Sequence, residues 1–306
     1  MPPDLSQFVP EIGVAEDLGA NIRRIVAPNP SPMTYRGTNT YLLGKGDLAV
    51  IDPGPDNQAH LAAILRAVGP HQRISHILVT HAHVDHSPLA AALSRITAAP
   101  VFAYGDATNG RSKIMQRLSQ QGLAGSVEGI DMSFYPDIFL PNDAEIIGDG
   151  WQLTALHTPG HIGNHLCFKY QNSLFTGDLV MGWASSLVSP PDGDLTDFMR
   201  SCCDLQKTQW QEFHPGHGAP VTAPNERLAW LIAHRKGREA EIIQHLHSGP
   251  TTAFDLASRI YTSTPPELLP AATRNVLAHF IDLTLRQRVR PLGVLSQDVA
   301  FELVAG

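Results

Sequence analysis

Four groups able to hold a divalent cation fall within six consecutive positions, His81-Ala82-His83-Val84-Asp85-His86, directly after an apolar, β-rich run at residues 74–80. Imidazole and carboxylate bind zinc-like ions at ~2.0–2.2 Å. A loop leaving a strand end can turn several close side chains toward one point, and four such groups exceed what one ion with an open position needs. The cluster therefore predicts a buried strand that opens onto a site where two neighbouring ions share the ligands. Asp85 has a second reading, as a cap on the helix that follows, but Ser87 can serve there instead.

Three later pieces have a related form, a strand running into a turn that bears one more ligand-type group. They are His157-Thr158-Pro159-Gly160-His161, Phe175-Thr176-Gly177-Asp178 and His214-Pro215-Gly216-His217-Gly218. Pro-Gly forces a tight turn and can present His161 and His217 inward, whereas Asp178 taken alone reads equally well as a turn former. His157 and His214 stand before their turns, where hydrogen-bonded structural histidines are expected. Asp52, at the end of the strand-like run Leu48-Ala49-Val50-Ile51-Asp52, reads either as a supporting acid or as a turn residue before Pro53. His60, His165 and His279 are among the histidines with no assigned role.

The remaining punctuation gives an outline. The first thirty residues read as loop, ending in Ala27-Pro28-Asn29-Pro30-Ser31-Pro32. Residues 38–43 and 48–52 form a hairpin over Gly44-Lys45-Gly46-Asp47. Residues 57–68 have helical spacing, 88–95 restart a helix, and 100–104 are a strand. Residues 105–132 lack clear periodicity and suit a mobile lid or a helix near the site. Strands are expected at 145–147, 151–157, 166–170, 173–176 and 212–214, and a helix at 195–205. From about residue 225 the character changes to three helical patterns, 225–247, 252–260 and 270–286, then β-rich pieces at 294–295 and 300–304. This is a winged-helix order. The expected domains are residues 1–224, an α/β sandwich carrying the site, and residues 225–306, a winged-helix-like tail.

Composition narrows the classes. No stretch is apolar for ~20 residues, so no membrane span is expected, and Met1-Pro2-Pro3-Asp4 does not open a signal peptide. Three cysteines, two of them adjacent, do not form a disulfide framework and fit a reducing cytoplasm. The net charge is −7. From Glu226 onward nine Lys/Arg face eight Asp/Glu, leaving 13 against 21 before it. That balance gives no support for broad nucleic-acid binding. Pro270 to Arg286, the helix that would read DNA, carries only Arg274 and Arg286 as basic residues. A non-catalytic nucleic-acid-binding or scaffolding role, resting on the tail, is therefore the weaker class, and the tail reads as a packing or dimerisation element covering one side of the site, with a homodimer as one expected assembly.

Taken in order, the HxHxDH run at residues 81–86, the single histidine at 161, the acid at 178 and the histidine at 217 resemble the metallo-β-lactamase superfamily over about residues 20–220. The resemblance implies an αββα sandwich with two metal ions at one edge of the paired sheets. One ion would be held by His81, His83 and His161, the other by Asp85, His86 and His217, with Asp178 between them and Asp52 supporting the ligand loops. Zinc suits these donors best, and manganese or iron would also fit. Two ions ~3.5–4 Å apart can share a water, lower its pKa toward ~7 and make a bridging hydroxide the nucleophile, with Asp85 as the catalytic acid that holds the hydroxide's proton.

Asn29-Pro30-Ser31-Pro32, Gly37-Thr38-Asn39-Thr40-Tyr41-Leu42, Val50-Ile51-Asp52-Pro53-Gly54, Gly182-Trp183-Ala184-Ser185-Ser186, Gly249-Pro250-Thr251-Thr252, Ile260-Tyr261 and Ala278-His279 are similar to the β-lactamase-like protein 2 branch and extend the resemblance to nearly the whole chain. That branch implies a single-stranded RNA endonuclease, for which Tyr35, Arg36, Arg111 and Lys113 are the groove residues available, or a thioester or ester hydrolase of hydroxyacylglutathione-hydrolase type acting on a small molecule. The segment 183–197 is expected to shape the substrate pocket.

Overall fold

The hairpin over residues 44–47 joins two strands whose apolar side chains are buried on both faces, which a position between a helical layer and a second sheet provides. The computed structural model describes residues 8–123, 125 and 129–304. A seven-stranded sheet runs in the order β1 (Glu16–Gly19), β2 (Ile22–Val26), β3 (Asn39–Leu43), β4 (Asp47–Ile51), then β5 (Arg73–Leu78) after α1 (Gln58–Arg66), β6 (Val101–Ala103) after α2 (Leu89–Thr97), and β7 (Ile138–Phe139) after α3 (Lys113–Gln120). β1 to β4 pair antiparallel, and β4 to β7 pair parallel. A five-stranded sheet follows from β8 (Ala144–Gly148), β9 (Trp151–His157), β10 (Leu166–Tyr170), β11 (Ser173–Gly177) and, after α4 (Leu195–Gln206), β12 (Glu212–Pro215). β11 and β12 are parallel, the rest antiparallel.

The sheets pack face to face through Tyr41, Leu43, Ile51 and Leu78 against Leu153, Leu166, Phe168 and Phe175. The outer face of the first sheet meets α1 and α2 through Ile64, Ile77, Leu89 and Leu93. That of the second meets α4 and the start of α5 (Pro224–Leu246) through Leu174, Phe213, Phe198 and Leu228. This is the expected αββα sandwich.

The tail consists of α5, α6 (Ala253–Ile260), α7 (Leu269–Leu285) and the hairpin β13 (Val289–Pro291) and β14 (Phe301–Leu303). α5 begins at the expected boundary, residue 224, and contributes to both cores. Leu228, Leu231 and Ile232 belong to the sandwich core, while Ile242 and Leu246 belong to the tail core. α7 is buried along most of its length, from Ala272 to Leu283, so it offers no free face for a nucleic-acid groove. Among the described residues, no helix is long and apolar enough to cross a membrane. The three cysteines are free thiols.

Two expectations are corrected, and one strand has no counterpart among them. The first thirty residues hold β1 and β2 besides loop; Arg24, which makes β2 look polar, is buried and pairs with Glu16 at 2.6 Å. β7, only two residues long, carries no sequence pattern that announces it. The first strand of the tail hairpin is β13, pairing Val289 with Leu303, while Val294 is exposed. Of the two expectations for residues 105–132, the helix holds: they contain α3, whose Met115 and Leu118 join the tail core. Part of that segment, and Met1-Pro2-Pro3-Asp4, lie outside the described residues.

Candidate metal centre

Every residue of the expected ligand set sits on a loop leaving a strand end on the same edge of the sandwich. The 81–86 loop follows β5, His161 follows β9, Asp178 follows β11 and His217 follows β12. Two groups form, His81, His83, His161 and Asp178, and Asp85, His86, Asp178 and His217, each with one ligand atom per residue and all atoms within 4.8 Å of one another. His83 Nδ1 faces His81 Nε2 at 3.0 Å and His161 Nε2 at 3.1 Å. His217 Nε2 lies 3.1 Å from Asp85 Oδ2, 3.3 Å from Asp178 Oδ2 and 3.4 Å from His86 Nε2. Asp178 appears in both groups.

The glycines of the turns are required by closeness. A Cβ at Gly216 would lie 2.4 Å from Asp178 Oδ1 and 2.7 Å from His86 Cε1, and one at Gly160, where φ is +146°, 2.3 Å from the Phe198 backbone. The Pro215–Gly218 turn is held by Asn39, whose Nδ2 donates to the Pro215 and Gly218 carbonyls at 2.9 Å each, and by the Tyr41 hydroxyl, which donates to Pro215 O at 2.7 Å.

The histidine tautomers are set from behind, as a metal-ligating imidazole requires. Asp52, in the left-handed region at φ 51°, accepts from the Thr80 amide at 2.7 Å and the Thr80 hydroxyl at 2.8 Å, and it accepts His86 Nδ1–H at 2.9 Å. Because the Thr80 hydroxyl donates to Asp52, its oxygen accepts Nδ1–H of His81 at 2.8 Å. His161 Nδ1–H donates to Leu187 O at 2.7 Å and His217 Nδ1–H to Gly37 O at 3.2 Å. Four imidazoles thereby turn Nε2 into the cluster.

Ring nitrogens that face one another at 3.0–3.4 Å, beside a buried Asp178 Oδ1 that accepts no hydrogen bond, fit cations between them. Burial pushes His83 down to about 3, with His161 adding to the effect. For His217 burial acts downward too, but the Asp178 and Asp85 carboxylates outweigh it and push it up to about 9. His86 lies well above the usual range for the same reason, through Asp85, Asp178 and Asp52. A divalent cation entering this space would compete with protons for both rings. Apparent metal affinity should therefore rise with pH, by roughly tenfold per pH unit for the His217 proton up to about 9. Calorimetric titration in buffers of different ionisation enthalpy measures this; a pH-independent affinity with no proton release contradicts it.

The remaining histidines behave as structural groups. His157 stacks on Tyr104, centroids 3.8 Å apart, and His214 is buried against Tyr41 and Phe175. His60 Nε2–H donates to the Thr40 hydroxyl at 2.8 Å. His165, given no role from sequence, lies beneath the cluster: its Nε2 accepts the Asp178 amide at 3.3 Å while Nδ1–H donates to the Thr158 hydroxyl at 2.9 Å.

A cavity of about 360 Å³ opens over the ligands, lined in part by His83, Asp85, His161, Asp178 and His217. The loop 181–190 forms one wall, as expected for the segment after Asp178. Four residues of the tail hold it. Arg227 donates to Met181 O and Ala184 O at 2.7 Å each, Arg235 to Ser186 O, Arg274 to Ser189 Oγ at 3.0 Å and to Pro190 O, and Asn275 Oδ1 accepts the Val188 amide at 3.1 Å. Leu187 O, which orients His161, thus sits on a segment fastened by α5 and α7. Tyr261, Leu268, Ala271, Ala272 and Asn275 complete the wall.

A sandwich of this topology, with five histidines and two aspartates converging at its edge, defines a metal-binding hydrolase class, and the comparisons agree. The chain matches the metallo-beta-lactamase superfamily over residues 33–236 and the beta-lactamase associated winged helix domain over residues 252–294. It belongs to the metallo-β-lactamase superfamily and, within it, to the family of the β-lactamase-like protein 2 homologues. The homologue from Drosophila melanogaster is 31% identical over 286 residues, 89% of this chain and 91% of that one. An atrochrysone carboxyl ACP thioesterase from Passalora fulva is 29% identical over 97% of this chain and 83% of its own length. A metallo-β-lactamase family protein from Thermus thermophilus shares the fold, with a TM-score of 0.76 at 23% identity over 94% of this chain and all of that one.

Proposed function

We propose that the protein hydrolyses esters or thioesters of apolar acyl groups, using two zinc ions held by His81, His83 and His161 and by Asp85, His86 and His217, with Asp178 shared. The observation that carries this reading is the lining of the cavity. Met33, Ile130, Met181, Trp183, Leu187 and Leu268 give it apolar walls, and among the described residues no Lys or Arg lines it. A polynucleotide brings a charge with every phosphate and needs cationic or stacking groups along its track. Tyr35, Arg36, Arg111 and Lys113 do not line the cavity; Arg111 pairs with Asp192 at 2.5 Å, and Tyr35 stacks on Trp183 at 5.1 Å. An uncharged acyl chain fits such walls and gains about 0.8 kcal/mol for each buried methylene. Relatives named as acyl carrier protein thioesterases, matching along almost the whole chain, support the same class.

Divalent ions at such a centre supply an activated water and polarise the substrate carbonyl. The chain's own part is positional. Asp52, Thr80, Leu187 O and Gly37 O fix the ligand rings. Asp85, whose side chain keeps 20% of its exposure at the cavity floor, is placed to accept a hydrogen bond from a water in the cavity. The apolar walls exclude bulk water from the carbonyl.

The test is to strip the protein with a chelator, restore zinc, and assay S-acyl N-acetylcysteamine thioesters beside a fluorogenic single-stranded RNA. Thioester turnover that disappears with the metal and returns with it is expected. Metal-dependent RNA cleavage without thioester turnover would overturn the proposal.

A further inference from the structure

Asn275 is one of the groups that the tail presents to the cavity. Its Oδ1 accepts two hydrogen bonds, from the Val188 amide at 3.1 Å and from Arg235 Nη1 at 3.1 Å. A backbone amide and a guanidinium only donate, so the side-chain amide cannot be turned over; the other orientation would set its NH2 against two donors. Arg235, buried beneath it and also tied to Ser186 O, is the positioning residue that enforces this. Nδ2 makes no hydrogen bond among the described residues. Asn275 is half-buried and lines the cavity, while Arg274 and Val276 on either side of it are buried.

Trp183 Nε1–H is a second donor of fixed direction without a partner among the described residues, but it is buried, and the other polar groups of the wall differ in kind. Ser189 is engaged by Arg274 and Asp192 by Arg111, while Ser185 and Thr264 carry hydroxyls that can reverse from donor to acceptor. Asn275 offers a donor whose direction is set. A plain hydrocarbon chain lying over it would strip water from an N–H and give nothing back, whereas an oxygen in that place would satisfy it.

We propose that Asn275 is a substrate-binding residue whose Nδ2–H donates to an oxygen on the acyl chain, so that the preferred substrates are acyl esters or thioesters bearing a keto or hydroxyl group. This rests on the acyl-hydrolase reading above and narrows its substrate class.

The test compares S-hexanoyl, S-(3-oxohexanoyl) and S-(5-oxohexanoyl) N-acetylcysteamine with the zinc-restored full chain and with its Asn275→Asp and Asn275→Leu variants. Asn275→Asp keeps the acceptor for Val188 and Arg235 and removes the donor, adding a charge that Asn275→Leu does not. The wild-type protein should favour one of the oxo substrates in KM. In both variants that preference over hexanoyl should fall about three- to tenfold, the size of one neutral hydrogen bond, with the change in KM rather than kcat. The corresponding amides, titrated calorimetrically, should show the same shift in relative Kd without turnover. Equal preference in wild type and Asn275→Asp, by both measures, or no binding of the oxo amides to the wild-type protein, overturns the inference. Failure of the wild-type protein to turn over any thioester would instead sink the acyl-hydrolase reading, and amide binding would still decide the role of Asn275.

Discussion

Replacing Asp178 with alanine should remove metal from both halves of the centre and reduce hydrolysis by at least the roughly 10²–10³-fold that loss of a single transition-state donor costs. Asp178 is shared by the two groups of ligands, with Oδ1 3.5 Å from His86 Nε2 and Oδ2 3.3 Å from His217 Nε2 and 3.8 Å from His161 Nε2. It also carries half of the negative charge that the two aspartates of the cluster contribute. Removing it leaves five imidazoles and one carboxylate around the same space, and the attraction for two dications falls steeply in a buried, weakly screened site. The fold should persist, because Leu179 and Val180, its apolar neighbours, anchor the strand end independently. Elemental analysis of the purified variant, with circular dichroism as the control for folding, reads the effect. Two ions per chain and near-normal turnover would contradict it.

Asp52→Ala should lower metal affinity by about 10–100-fold, although Asp52 is not placed to touch an ion. One carboxylate holds three groups: the Thr80 amide and hydroxyl, and Nδ1 of His86. Through Thr80 it also sets the tautomer of His81. Its loss frees two ligand rings, one in each half of the centre, to rotate or to take the wrong proton. It also leaves the Thr80 amide buried without an acceptor, worth about 1–3 kcal/mol of stability. Asp52→Asn should be milder in stability and still weak in metal binding, because an amide can accept from only part of this set. Competition with a chromogenic chelator measures the affinity. An unchanged affinity in Asp52→Ala, in a folded protein, would show that the rings are held by other means.

Much of the centre is legible in the sequence because ligand-type residues are compressed into four short pieces, each at the end of an apolar run. The turn chemistry of Pro159-Gly160 and Pro215-Gly216 marks where the chain can bring a histidine inward. What supports those residues is hidden. Leu187 O and Gly37 O are backbone atoms that carry no residue signature. His165 looks like any other histidine until β10 places it under Asp178. Asn275 and Arg235 act on a loop more than forty positions away in sequence, a pairing that no local pattern announces. In the fold, the strongly periodic helices and apolar strands follow from their patterns, with ends differing by a residue or two. β1 and β2 escape such a reading because Arg23 and Arg24 break the apolar alternation; Arg24 is neutralised by Glu16, a partner visible only once the strands pair. The tail hairpin is displaced from its expected place because Val294-Leu295 is the more hydrophobic pair, while the register is set by Val289 and Phe301 in the tail core.

The most direct measurement is anomalous diffraction at the zinc absorption edge from crystals of the zinc-restored protein. Two peaks are predicted, one among His81, His83 and His161, the other among Asp85, His86 and His217, with Asp178 between them. No peak at this edge of the sandwich, or zinc held only by other residues, would contradict the account.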